Sequence, residues 1–192
     1  MDSVDILFSV FLGIGLASAV GFRVFLPLLV LSLAGYFDYI PLNENWMWAG
    51  SLTAVVTLSV ATLVEIFGYY IPWVDNILDT IAVPLAAVAG TTVMMATVSD
   101  LSPLITWSLA IIAGGGTAAA IKGNPSAIRL TSSATTGGLA NPVVATAETG
   151  TSMLMSLVSI ILAPLAFMLV LFIFYLMYKF YKKLRKKNTP RV

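Results

Sequence analysis

The chain has no cysteine and no histidine among its 192 residues, and only 10% of them are charged. Without cysteine there is no disulfide framework and no thiol nucleophile, and the usual zinc and haem-attachment patterns are excluded. Without histidine, every catalytic dyad or triad that runs on imidazole is excluded as well. The shortage of charge excludes still more. A soluble domain carries about 25% charged residues, so this chain cannot cover a water-facing surface. What it has in quantity is apolar: 59% of it is hydrophobic and its mean hydropathy is +0.96.

Positive charge is scarce except at one end. Seven of the ten basic residues lie in positions 179–191, which leaves residues 1–178 with three cations against nine anions, a net −6. The chain therefore reads as an all-α, polytopic transmembrane helix bundle of about five or six spans. Residues 1–178 form a single transmembrane domain, and 179–192 a basic tail. By the positive-inside rule that tail lies in the cytoplasm. It is read as a stop-transfer anchor touching anionic lipid headgroups rather than as a nucleic-acid-binding segment.

A spanning helix needs about 20 mostly apolar residues. Uncharged stretches of that order occur at 80–99, 101–121 and 149–178, and 49–72 is interrupted only by Glu65. Residues 5–35 contain Arg23 and Pro27, and as one straight helix would be about 46 Å long against a hydrocarbon core of about 30 Å. A break near Gly21–Pro27 is expected, because proline removes a backbone donor and glycine permits the bend. A cleaved signal peptide over 6–22 is disfavoured, since Asp2 and Asp5 stand where a positive n-region belongs. Aromatic and polar residues 36–48 suit an interfacial loop or short helix. Residues 122–148 are too small-residued for a charged loop and too polar for lipid contact. They are read as a re-entrant element of non-helical backbone, with a compact surface loop as the rival.

Gly13, Gly15, Ala17 and Ala19 can be laid over Gly114, Gly116, Ala118 and Ala120, each copy followed by a cation and a proline. That match divides the chain into repeat halves 1–100 and 101–178, and paired interrupted segments of this sort point to a transporter site. Gly13, Ala17 and Gly21 also form a small-residue stripe suited to close helix packing.

An ionisable group inside the bilayer survives only by pairing or by facing water. Arg23 and Glu65 are the strongest candidates, and their structural reading is a mutual salt bridge. Asp75 and Asp79 share a face if helical, although Asp79 equally suits the cap of a helix beginning at Thr80. With Asn76 these carboxylates could bind a hard cation, but the spacings of a full calcium loop are missing. Lys122, Arg129, Asn141 and Glu148 surround the hydroxyl- and glycine-rich run 131–138, a composition that can cradle an anion. No phosphate-loop order occurs. Ser132 or Ser133 has no histidine to activate it, and a Ser–Lys pair with Lys122 lacks supporting spacing.

Four pieces of the chain resemble a bacterial integral-membrane family described only as a domain of unknown function (forty-one twenty-six). They are Gly21-Phe-Arg23-Val-Phe-Leu-Pro27, Glu65 with Ile71-Pro72-Trp-Val-Asp75 and Asp79, Thr136-Gly-Gly-Leu-Ala-Asn141-Pro142, and Glu148. An Arg-Pro pair and a His that the family carries are absent here, at Val83-Pro84 and before Lys122. The resemblance implies a bacterial cytoplasmic (inner) membrane protein with a shared polar centre, and no particular activity.

The leading expectation is a small permease or channel-like transporter. Arg23, Lys122 and Arg129 would bind an anionic solute or lipid phosphate, and Glu65 would carry a coupling proton. The alternative is a non-transporting scaffold or assembly factor whose buried charges are structural pairs. An intramembrane enzyme is the weakest reading, because nothing orients a nucleophile. No cofactor is expected, and a dimer fits a transporter of this size.

Overall fold

The computed structural model describes residues 3–98 and 101–187, and every regular element among them is helical. Asp2, Ser99 and the end of the basic tail, 188–192, lie outside the described residues.

Helix α1 (Ser3–Val20) stops at the expected break, and α2 (Phe25–Tyr36) resumes four residues later. Gly21 is required at the joint: a Cβ there would lie 2.6 Å from Ile121 Cβ and 2.9 Å from the Ala118 carbonyl oxygen. Pro27 is the third residue of α2, so its missing amide falls in a first turn that has no intrahelical acceptors. The segment after α2 turns into a short 3-10 helix, Glu44–Gly50, whose start is capped by Asn43 accepting from the Asn45 amide. It meets α3 (Leu52–Gly68) at 63°, and the Ser51 hydroxyl caps α3 by accepting from the Ala54 amide.

Helix α4 (Pro72–Thr97) opens on a proline, where a missing amide costs nothing. Asp79 is thus an interior residue of α4, and the cap reading fails because the helix begins at Pro72 rather than Thr80. Helix α5 (Pro103–Leu109) passes through a π-helical turn, Ala110–Gly115, into α6 (Gly116–Thr136), making one apolar rod of 34 residues. Pro125 cannot donate to the Ile121 carbonyl, and the Asn124 side chain supplies a replacement amide at 3.5 Å.

Two expectations about the second half are corrected. Residues 122–148 are not irregular backbone but helix, turn, helix. Gly137 and Gly138, at φ 63° and 85°, close α6 with a left-handed turn, and Asn141-Pro142 then starts α7 (Asn141–Ile161). Small polar residues and an internal proline suggest a loop, but the hydroxyls of Thr131, Thr135 and Thr136 donate back to the preceding turn and suit the segment to helix. The uncharged stretch 149–178 is not one span either. It breaks at Leu162 (φ −140°, ψ 64°), and α8 (Ala163–Lys187) begins with Pro164 as its second residue. Pro164 suits the first turn of a new helix, and uncharged residues on both sides hide the break from a hydropathy reading.

Among the described residues, five helices are long and apolar enough to cross a membrane, or six if the bent 3-10/α3 pair is one span. The outward faces carry exposed large apolar residues such as Leu63, Phe67, Ile112, Leu154 and Phe172. The interior combines buried aliphatic residues such as Leu16, Leu31 and Met94 with many small ones. Ala17, Ala86, Ala118 and Ala166 are fully buried, and Ser152, Ser156 and Ser159 form a buried stripe on α7. Ser152 bonds across to the Ala19 carbonyl at 3.0 Å. Apolar outside, with many small or hydroxylic residues inside, is the pattern of a bundle packed in lipid, where close approach and interhelical bonds replace the hydrophobic effect.

Candidate polar centre

The break in α1–α2 creates the first half of the site. Two backbone amides at the start of α2, Val24 N and Phe25 N, have no helical acceptor, and the Glu65 carboxylate takes both at 2.8 and 3.0 Å. A carboxylate at a helix N-terminus also meets the positive end of the helix dipole. At the other side of the joint, Lys122 Nζ donates to the Phe22 carbonyl at 3.1 Å. A cation thus faces the end of α1 and an anion faces the start of α2.

The expected Arg23–Glu65 salt bridge is therefore overturned. Both Glu65 oxygens are engaged by backbone, and Arg23 turns instead to α7. Its Nε donates to Thr149 Oγ1 at 3.0 Å, its Nη2 donates to the Ala145 carbonyl at 2.8 Å, and the same Nη2 lies 4.0 Å from Glu148 Oε2. Glu148 is the hub of the centre. It pairs with Lys122 Nζ at 3.3 Å and is in direct contact with Arg129 Nη2, so three cations converge on one carboxylate. Arg129 Nε also lies 3.9 Å from Asp79 Oδ2.

Tyr69 is the residue that sequence reasoning missed. Its ring is 97% buried and takes the Arg23 and Arg129 guanidinium carbons at 4.3 and 4.0 Å from its centroid, with Lys122 Nζ at 5.2 Å. An aromatic face attracts cations, most strongly away from water, so one ring gathers three like charges that would otherwise repel. Nothing in the sequence separates Tyr69 from Tyr70, which is more exposed and hydrogen-bonded to Thr146. Both look like interfacial aromatics at a span end.

Asp75 and Asn141 make a separate corner. Asn141 Nδ2 donates to Asp75 Oδ2 at 2.7 Å and to Ser133 Oγ at 3.1 Å, and Ser133 donates to Asn76 Oδ1 at 3.5 Å. The shared face expected of Asp75 and Asp79 directs one toward α7 and the other toward α6. Of the eight residues singled out in the sequence, Arg23, Asp79, Lys122, Arg129 and Glu148 are joined by ion pairs, Glu65 caps the adjacent joint, and Asp75 and Asn141 form their own pair.

Seven charged groups gather here: Arg23, Lys122 and Arg129 against Glu65, Asp75 and Glu148, all buried, and Asp79, whose residue is half-buried but whose side chain is only 5% exposed. Four guanidinium nitrogens, Arg23 Nη1 and Arg129 Nε, Nη1 and Nη2, have no hydrogen-bond partner among the described residues, although Arg129 Nε and Nη2 lie in ion pairs with Asp79 and Glu148. Glu65 and Tyr69 also line a lateral cleft of about 420 Å³ between α2, α3 and α4, whose other walls are mainly apolar. No group of three or more histidine, cysteine, aspartate or glutamate side chains is arranged to hold a metal ion among the described residues.

A family model described as a domain of unknown function (DUF4126) matches residues 10–183 of the chain. No curated protein and no solved structure matches it.

Proposed function

The chain belongs to the family of the domain of unknown function DUF4126, a description without an activity, and we propose that it is a small permease or channel-like transporter of the bacterial cytoplasmic membrane. Its cargo is an anionic solute or a lipid phosphate, bound at the polar centre. The observation that carries this reading is that two guanidinium groups, those of Arg23 and Arg129, are buried over one tyrosine ring and that each has an Nη1 without a hydrogen-bond acceptor among the described residues. A guanidinium nitrogen held away from water without an acceptor is costly, and an oxyanion would satisfy both. The broken α1–α2 helix supports the same reading, since interrupted helices at a polar centre are the usual build of transporter sites. The lateral cleft beside Glu65 and Tyr69 offers an apolar approach, as an acyl chain would need. The basic residues 179–191 support a cytoplasmic C-terminus and contact with anionic headgroups.

Glu65 is the candidate for a coupling proton. Protonation would discharge the carboxylate that caps α2 and loosen the joint on which Arg23 sits.

Two substitutions test the proposal in proteoliposomes. Arg23→Lys keeps the charge but loses the planar fork, so anion affinity should fall about tenfold or more. Glu65→Gln should flatten the pH dependence of flux while the protein stays folded. Unchanged anion affinity in R23K would sink the anion site, and an unchanged pH profile in E65Q would sink the proton role. A scaffold is the second reading, favoured by the three cations already gathered on Glu148. It requires that no purified preparation moves or binds an anion.

A further inference from the structure

The carboxylates of the centre are unequally served. Glu148 meets three cations, Asp79 meets Arg129, and Glu65 caps two amides. Asp75 is 1% exposed and has no cation within ion-pair distance among the described residues; its bonded partner is the neutral amide of Asn141. The field of Arg129 reaches Asp75, but the nitrogens of Arg129 face Asp79 and Glu148. Joined through Asn141 Nδ2 and Asp75 Oδ2, the two side chains each leave their other oxygen without a hydrogen-bond partner among the described residues. Asn141 is itself only 3% exposed. Asp79 Oδ1, one helical turn along α4, is a third such oxygen.

We propose that Asp75 and Asn141 hold an alkali-metal cation at their Oδ1 atoms, neither of which has a hydrogen-bond partner among the described residues. Hard cations take oxygen ligands of this mixed carboxylate and amide kind. The charge count selects a single positive charge. Three buried cations against four buried carboxylates leave the centre at −1, and burying unbalanced charge is costly. One monovalent ion restores neutrality, whereas a divalent ion would leave the centre at +1. With a singly charged anion also bound at Arg23 and Arg129, the cation would hold the centre at −1 rather than −2. Its binding does not rest on the transport reading, because occupancy is measurable on the purified protein with no anion present.

The test is thermal unfolding of the detergent-purified protein titrated with NaCl or KCl, with N-methylglucamine chloride holding ionic strength constant. A cation that binds the folded state raises Tm in a saturable way, here by about 3 °C or more. Asp75→Asn is nearly isosteric and should abolish the response, melting near the cation-saturated wild type. Asn141→Ser, which removes one oxygen ligand, should weaken apparent affinity about tenfold and serves if D75N does not fold. A wild type whose Tm follows pH but no alkali cation overturns the proposal, and so does a sodium or potassium response that survives unchanged in D75N and N141S. An R23K variant that loses anion binding yet keeps the cation response separates the two sites.

Discussion

At the scale of single residues, the centre is organised by two side chains, Glu148 and Tyr69, with very different visibility in the sequence. Glu148 stands out as a lone acid in a small-residue stretch. Tyr69 does not stand out, because an aromatic at a span end is ordinary. Their functions are complementary: Glu148 neutralises cations, and the ring lets three of them stack within about 5 Å of one point. Tyr69→Phe keeps that ring and loses only the hydroxyl. Tyr69→Leu removes the π face from all three cations and should lower stability by about 2 kcal/mol or more, at roughly 1 kcal/mol per desolvated contact. Chemical or thermal unfolding of Y69F and Y69L side by side decides this. Equal stability of the two would mean that the ring is only filling space.

At the scale of elements, the breaks do the positioning. The α1–α2 joint exposes two amides that recruit Glu65 from α3, and the Gly137-Gly138 turn delivers Asn141 to the first turn of α7. These joints were legible in sequence to different degrees. Arg23 and Pro27 inside 31 apolar residues announced the first. The second does not announce itself, because Ser, Thr and Gly composition is shared by loops and by helices whose hydroxyls bond back to the preceding turn, as Thr131 and Thr135 do. The turn makes a paired prediction. Gly137→Ala forces a side chain into φ 63° and should cost about 1–2 kcal/mol. Gly123 lies inside α6 with nothing within 4 Å of an added Cβ, so Gly123→Ala should stabilise by about 0.5–1 kcal/mol. Opposite shifts in Tm are expected for G137A and G123A. A shift in the same direction for both would contradict the helix–turn–helix reading of 122–148.

At the scale of the whole molecule, scarcity of charge separates two surfaces: a lipid-facing exterior of large apolar side chains and a buried centre that holds most of the ionisable groups of the membrane domain. Because the chain has no cysteine, an introduced one is a unique label. Lys182 is exposed on α8, and Lys182→Cys should react with an impermeant maleimide in inverted membrane vesicles and not in right-side-out ones. The reverse pattern would place the tail outside and refute the orientation drawn from its basic residues. The sequence alone determined the solvent, since an apolar chain with 10% charge has only lipid to face. It also determined the first break and the inventory of charges to be housed. The tertiary structure alone decided who pairs with whom. Arg23 lies 42 positions from Glu65 and 125 from Glu148, and its partner is the more distant one. Backbone amides freed at the α1–α2 joint had already claimed Glu65, and packing of α7 beside that joint brought Glu148 within reach. Pairing across such separations depends on which helix faces meet, and that information is carried by the packed bundle rather than by any local run of residues.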